Sequence, residues 1–137
     1  SFFFINVDEQ IMECFDQSIH LKPENVHTWS IKAAYLCNSK RYEEAHICMK
    51  KAIELEPENV ENLVNMSYIE LMYSLVVLKK TDAVQQGMHW IDIALSINKE
   101  NVKAWEKKAH LLSIEKKYEQ AADCYAQAEK IRNKQKS

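Results

Sequence analysis

Pro23-Glu24-Asn25-Val26 returns as Pro57-Glu58-Asn59-Val60 thirty-four residues later, and as Lys99-Glu100-Asn101-Val102 a further forty-two residues on. A phrase recurring at this interval, with apolar periodic sequence between its copies, marks a stack of repeated units. Each copy supplies an asparagine whose side chain can accept from the open amides of a first helical turn. The two prolines forbid the preceding helix from running through.

The first complete unit is Val26 to Asn59. Trp29, Ala33 and Leu36 fall at spacings of four and three, which predicts one face of a helix running to about Ser39. Lys40-Arg41 is polar punctuation. Tyr42, Ala45, Met49, Ala52 and Ile53 form a second stripe that ends at Leu55, before Pro57. Two amphipathic helices and a short turn make an antiparallel hairpin.

The third unit repeats these residues 76 positions later as Trp105, Ala109, Leu112, Tyr118, Ala121 and Ala128. The middle unit substitutes Leu63, Ser67, Gly87 and Ala94 at four of the same places. Three positions hold only Ala, Ser or Gly in every copy, which predicts close helix–helix approach with large neighbours filling the grooves. Trp, a small residue, Leu, then Tyr-x-x-Ala, a large apolar residue, Ala and Pro resembles the tetratricopeptide repeat over about residues 8–132. The resemblance implies an all-α fold, a right-handed superhelical stack of antiparallel helix hairpins (an α-solenoid) with about seven helices. Lys32 and Lys108 depart from the pattern where Leu is frequent, and Asn98 replaces the second helix's terminal Pro.

The chain reads as a single domain of unequal parts: residues 1–25 an incomplete repeat, 26–59 a repeat, 60–101 a repeat with a long first helix, and 102–137 a repeat with a basic tail. Ile11, Phe15 and Ser18 mark a second helix over roughly Asp8–Leu21, while Phe2, Phe3 and Phe4 fall at the tail of a first helix. The expectation is an excised piece of a longer array. The middle unit is eight residues longer than the others. Its first helix meets no stop before Lys79-Lys80-Thr81-Asp82, so it is expected to span 60–79 and to be apolar on more than one face. Thr81 or Asp82 then caps the next helix. A long apolar helix must bury its surface on neighbours or on a partner.

Composition narrows function. One Gly and two Pro in 137 residues leave little material for hairpin turns, and a net charge of −2 draws the chain neither to nucleic acid nor to anionic lipid. Cys14, Cys37, Cys48 and Cys124 form no Cys-x-x-Cys pair, and three of them share one repeat position, a packing signature. They read as free thiols in the cytoplasm or another reducing intracellular compartment. The five histidines show no ligand spacing, and no phosphate loop, nucleophile elbow or paired-carboxylate cleft is written. The expectation is no catalysis, no metal and no cofactor. The basic residues Lys130, Arg132, Lys134 and Lys136 read as a solvated helix end complementing the helix dipole.

The resemblance implies that the first helix of each unit lines an inner groove. Its outward positions, the candidate partner-binding residues, include Ile31 and Asn38, then Val64, Asn65, Tyr68 and Met72, then Lys103, Lys107 and His110. The leading reading is a noncatalytic scaffold that holds a partner peptide or helix there, an apolar segment with acidic flanks. A second reading is homo-oligomer formation through the terminal helices or the 60–79 helix. A third follows from the family's carboxylate clamp for acidic C-terminal tails. Asn65, Lys103 and Lys107 match its later positions, while Ser30 and Ala34 stand where Lys and Asn are expected.

Overall fold

Asparagine opens every hairpin. In the computed structural model, which describes residues 6–137, Asn25 accepts from the His27 amide at 3.1 Å, Asn59 from Asn62 at 3.0 Å and Asn101 from Ala104 at 2.9 Å. Each bond satisfies a first-turn donor that the helix leaves open. Among the described residues the fold is all-α: α1 (Val7–Leu21), α2 (Val26–Asn38), α3 (Tyr42–Leu55), α4 (Val60–Met72), a π-helical segment (Tyr73–Val77), α5 (Ala83–Ile97), α6 (Val102–Ile114) and α7 (Tyr118–Lys136). The phenylalanines at positions 2, 3 and 4 lie outside the described residues. The chain divides into two units, Ser1–Pro57 and Glu58–Ser137.

In the first unit α2 and α3 form a hairpin with Ala33, Leu36, Ala45, Met49 and Ala52 all at 0% exposure. Lys40 makes the reversal in the left-handed region (φ 63°), with the Arg41 amide donating to Leu36 O at 2.8 Å and the Lys40 amide to Cys37 O at 3.0 Å. These are the paired bonds of a Schellman cap, achieved without glycine. The Trp29 indole N–H donates to Pro23 O at 2.8 Å, pinning the helix to the loop before it. Among the described residues α1 packs on α2 alone and buries none of its residues.

The second unit repeats this hairpin as α6–α7, closed by Lys116 (φ 63°) and by the Lys117 amide on Leu112 O at 2.9 Å. Trp105 donates to Lys99 O at 2.8 Å, as Trp29 does to Pro23. All nine small-residue positions of the three repeats are buried. Gly87 shows why: a Cβ placed there would lie 3.0 Å from Ser67 O and 3.5 Å from Leu71 Cβ. α4 and α5 touch backbone to backbone at that point.

The long first helix of the middle repeat takes a different form from the α-helix expected over 60–79. Regular α-helix ends at Met72, and Tyr73–Val77 continue as a π-helix. The Leu78 amide donates to Tyr73 O at 3.0 Å, and Lys80 reaches back six residues to Ser74 O at 2.8 Å. Lys79 (φ 53°) turns the chain. The wider turns absorb extra residues with less advance along the axis. Asp82 stands at the start of α5 as expected, yet makes no side-chain cap bond; its carboxylate accepts from the Gln86 amide group at 2.9 Å.

Candidate interaction surface

On α6 the residues Lys103, Lys107, His110 and Ile114 follow one another at spacings of four, three and four, which places them on one stripe of a helix. All four are exposed. On α4 the corresponding stripe is Glu61, Asn65, Tyr68 and Met72; Glu61 and Asn65 are exposed, Tyr68 is 43% exposed and Met72 is half-buried. α4 and α6 contact each other within the second unit.

Where these stripes approach the π-helical segment, a cleft of about 620 Å³ opens. Tyr68 and Met72 from α4 and His110 and Ile114 from α6 line it, together with Leu71, Leu75, Lys80, Thr81, Ala83 and Val84. Three of the sequence-predicted residues, Tyr68, Met72 and His110, therefore share one site. Leu75, Lys80, Thr81 and Val84 were not among the residues that the repeat pattern singles out. Their signal was the extra length itself, which supplies one wall. Beyond the cleft Leu75, Val76, Val77 and Leu78 are 52%, 49%, 42% and 43% exposed, an unbroken apolar run at the surface.

The charges around the cleft are unequally engaged. Glu70 accepts from the Trp90 indole at 3.2 Å and from Ser74 at 3.5 Å, and Asp82 is held by Gln86. Glu106 pairs with Arg132 at 3.2 Å, and Glu115 with Lys117 at 3.6 Å and with Gln85. The side-chain ammonium groups of Lys80, Lys103 and Lys107 have no ion pair or hydrogen bond among the described residues. On α6 and in the turn after the π-helical segment the uncommitted charge is positive, while Glu61 at the start of α4 is an exposed carboxylate with no partner among the described residues.

The remaining sequence-predicted positions fall elsewhere. Ile31 (43% exposed) and Asn38 are exposed on α2 in the first unit. Val64 is a correction: at 4% exposure it belongs to the core, because α4 buries seven of its thirteen residues and leaves Glu61, Asn65 and Tyr68 as the outward ones. Of the clamp-like positions Ser30 turns its hydroxyl onto Val26 O at 3.0 Å, and Ala34 offers no polar group. The first half of that clamp is absent by chemistry.

Two further features correct the reading of Lys32 and Lys108 as mere departures from the pattern. Lys32 pairs with Asp16 at 2.7 Å and Lys108 with Asp92 at 3.3 Å. Each lysine thus ties a first helix to the second helix before it, and the shared separation of sixteen residues was the sequence signal. In the first unit a shallow cleft of about 680 Å³ lies along α1, between Asp8, Glu13, Asp16, His20 and Arg41 among others. Two of its acids have structural duties: Asp16 pairs with Lys32, and Asp8 accepts from Tyr35 Oη at 2.5 Å and from Arg41 at 3.1 Å and holds the Tyr35 phenol above its ordinary pKa through the Tyr35 hydrogen bond.

No group of three or more His, Cys, Asp or Glu able to hold a metal is present among the described residues. Burial raises the thiol pKa of Cys48 and Cys124, so neither is primed as a thiolate. Both are core residues, as the shared repeat position predicted, whereas Cys14 on α1 is exposed. No helix among the described residues is long and apolar enough to cross a membrane.

Two family models, both described as tetratricopeptide repeat, match residues 26–59 and 102–135. A comparison with curated proteins found no match. Among solved structures, MamA (41-end) from Desulfovibrio magneticus RS-1 superposes with a TM-score of 0.77 at 15% identity, over 98% of this chain and 72% of that one. A MamA RS-1 double mutant gives 0.76 at 15% identity with the same coverage, 98% and 72%. PilF of Pseudomonas aeruginosa gives 0.65 at 23% identity, over 85% of this chain and 51% of that one. At these identities the likeness is one of fold, an all-α helical-repeat solenoid.

Proposed function

This chain belongs to the tetratricopeptide repeat family of interaction scaffolds, and on that premise we propose that it binds, without catalysis, a segment of a partner protein along the α4–α6 face of its second unit. The observation that supports the reading is that Lys103 and Lys107 on α6 carry uncommitted ammonium groups, while Tyr68 on the contacting helix α4 is 43% exposed. A rigid helical face with apolar and cationic positions at helical spacing suits an apolar segment flanked by carboxylates. Asn65, Met72 and His110 complete that face, and Ile31 and Asn38 on α2 are the corresponding positions of the first unit.

Selection from a displayed library of random twelve-residue peptides tests the proposal. Enriched sequences should carry Asp or Glu around an apolar centre, and Lys103→Glu combined with Lys107→Glu should weaken them at least tenfold. Peptides that bind the double variant as well as the parent would sink the assignment. Self-association is the second reading, favoured by the exposed run Leu75–Leu78. Sedimentation separates the two: a monomer at high concentration excludes self-assembly, and a dimer lost on Val76→Glu supports it.

A further inference from the structure

The α4–α6 face ends in a feature that the other two hairpins lack, the cleft walled by the π-helical segment and the turn after it. π-helical turns are rare and concentrate at functional sites, since they disturb a regular helix to aim particular side chains. Here the disturbance buries the Ser74 hydroxyl at 1% exposure while Leu75 stays half in solvent on the cleft wall. The volume of about 620 Å³ falls within the range of ligand-binding pockets, roughly 300–1,000 Å³. Its lining is apolar at Tyr68, Met72, Leu75 and Ile114, with Lys80, Thr81 and His110 as the polar exceptions. The Lys80 ammonium has no partner among the described residues, whereas the carboxylates of Glu70, Asp82 and Glu115 are each engaged.

We propose that this cleft is an anchor pocket for one bulky apolar side chain of the bound segment, with an adjacent carboxylate held by Lys80 and His110. The proposal rests on the α4–α6 face being the binding surface and adds which end of it confers specificity. Charge complementarity selects the occupant: an apolar group alone would leave Lys80 unused, and a basic flank would be repelled by it. The anchor supplies affinity because burying a large side chain in a preformed cleft orders few groups, and hot spots of this kind dominate interfaces.

The test uses the full chain with methyl-labelled Met, Leu and Ile, titrated by NMR with three capped dipeptides at millimolar concentration: N-acetyl-Trp-Asp-amide, N-acetyl-Ala-Asp-amide and N-acetyl-Trp-Asn-amide. The first should shift the Met72, Leu75 and Ile114 methyls, and the other two should bind at least fivefold more weakly. Leu75→Glu, at a half-exposed position that leaves the core intact, and Lys80→Glu should each weaken Trp-Asp binding at least fivefold, while Lys50→Glu, exposed on α3, leaves it unchanged. If library-selected peptides still require Lys103 and Lys107 but ignore Leu75→Glu, the anchor is overturned and the face stands. Loss of sensitivity to Lys103 and Lys107, with the dipeptide shifts retained, overturns the face and leaves the pocket. A second copy as occupant, revealed by a dimer that Leu75→Glu dissociates, also overturns the proposal.

Discussion

The α6–α7 hairpin and the α4–α5 hairpin are built from the same repeat and solve the same packing problem differently. In α6–α7 the crossing position is Ala121 and the first helix ends at Ile114 after thirteen residues, with Lys116 turning the chain. In α4–α5 the crossing position is Gly87, the helices approach to backbone contact, and the first helix runs on through a π-helical segment. The comparison separates what the repeat requires from what it tolerates. Small residues at the crossing, an asparagine at the entry and a left-handed lysine at the exit are common to both. Length beyond the crossing is free to vary, and it varies where the cleft is.

Breaking the crossing should have the largest effect. A Cβ at Gly87 would already sit 3.0 Å from Ser67 O, so the two added methyls of Gly87→Val have no room without parting α4 from α5. Overpacking of this order costs about 1–3 kcal/mol, and we expect Gly87→Val near the upper end. Gly87→Ala sets that crowding against a gain of about 1 kcal/mol in helix propensity and should come out near neutral. The reverse change in the sister hairpin, Ala121→Gly, should lose about 1 kcal/mol. Urea unfolding of the three variants decides it: a Gly87→Val midpoint equal to the parent's would show that the helices are not held together at this point.

The helix exits offer a smaller effect of opposite sign. Lys40, Lys79 and Lys116 occupy the left-handed region, at φ 63°, 53° and 63°. A residue with a Cβ is disfavoured there by roughly 1–2 kcal/mol, of which the greater freedom of unfolded glycine returns about half. Lys40→Gly and Lys116→Gly should each stabilise by about 0.5–1 kcal/mol. Lys79→Gly should match them if the exit is the same device in all three repeats. A neutral or destabilising result at Lys79 alone would mean that the π-helical exit depends on the lysine side chain, sharpening the contrast between the hairpins.

These two cases also show what was legible. The nine small positions could be read because a thirty-four-residue period aligns them, and a run of Ala, Ser and Gly at one position has a single packing meaning. The entry asparagines were legible because their chemistry is local. The exits were not: the cue for a left-handed stop is glycine, the chain's one glycine lies in a helix crossing, and lysine carries no such signal. The π-helical segment was hidden because Tyr68 to Leu78 is almost continuously apolar, and without polar residues to mark a face, periodicity cannot separate i+4 from i+5 bonding. Val64 was misplaced for a related reason, since repeat position predicts which way a side chain points but not how widely a helix is covered. Of the candidate site, Tyr68, Met72 and His110 followed from the repeat, and the wall facing them came from the residues that break it.

The smallest effect lies in an ion pair that one repeat has and another cannot form. Lys134 donates to Glu100 at 2.6 Å, whereas the corresponding positions of the first repeat are Glu24 and Glu58, two carboxylates. The hydrogen bond from Lys134, with its charge, lowers the Glu100 pKa below the ordinary carboxylate value. A group whose folded pKa is depressed contributes stability that is full above its unfolded pKa and disappears as pH falls through the folded one. Both residues lie at the surface, so the contribution is small and screened by salt. Comparing the parent with Lys134→Ala by urea unfolding from pH 7 down to pH 2.5, the variant should be slightly less stable at neutral pH and indistinguishable in acid. A deficit that persisted at pH 2.5 would locate the role of Lys134 in the packing of its stem against α6 rather than in its charge.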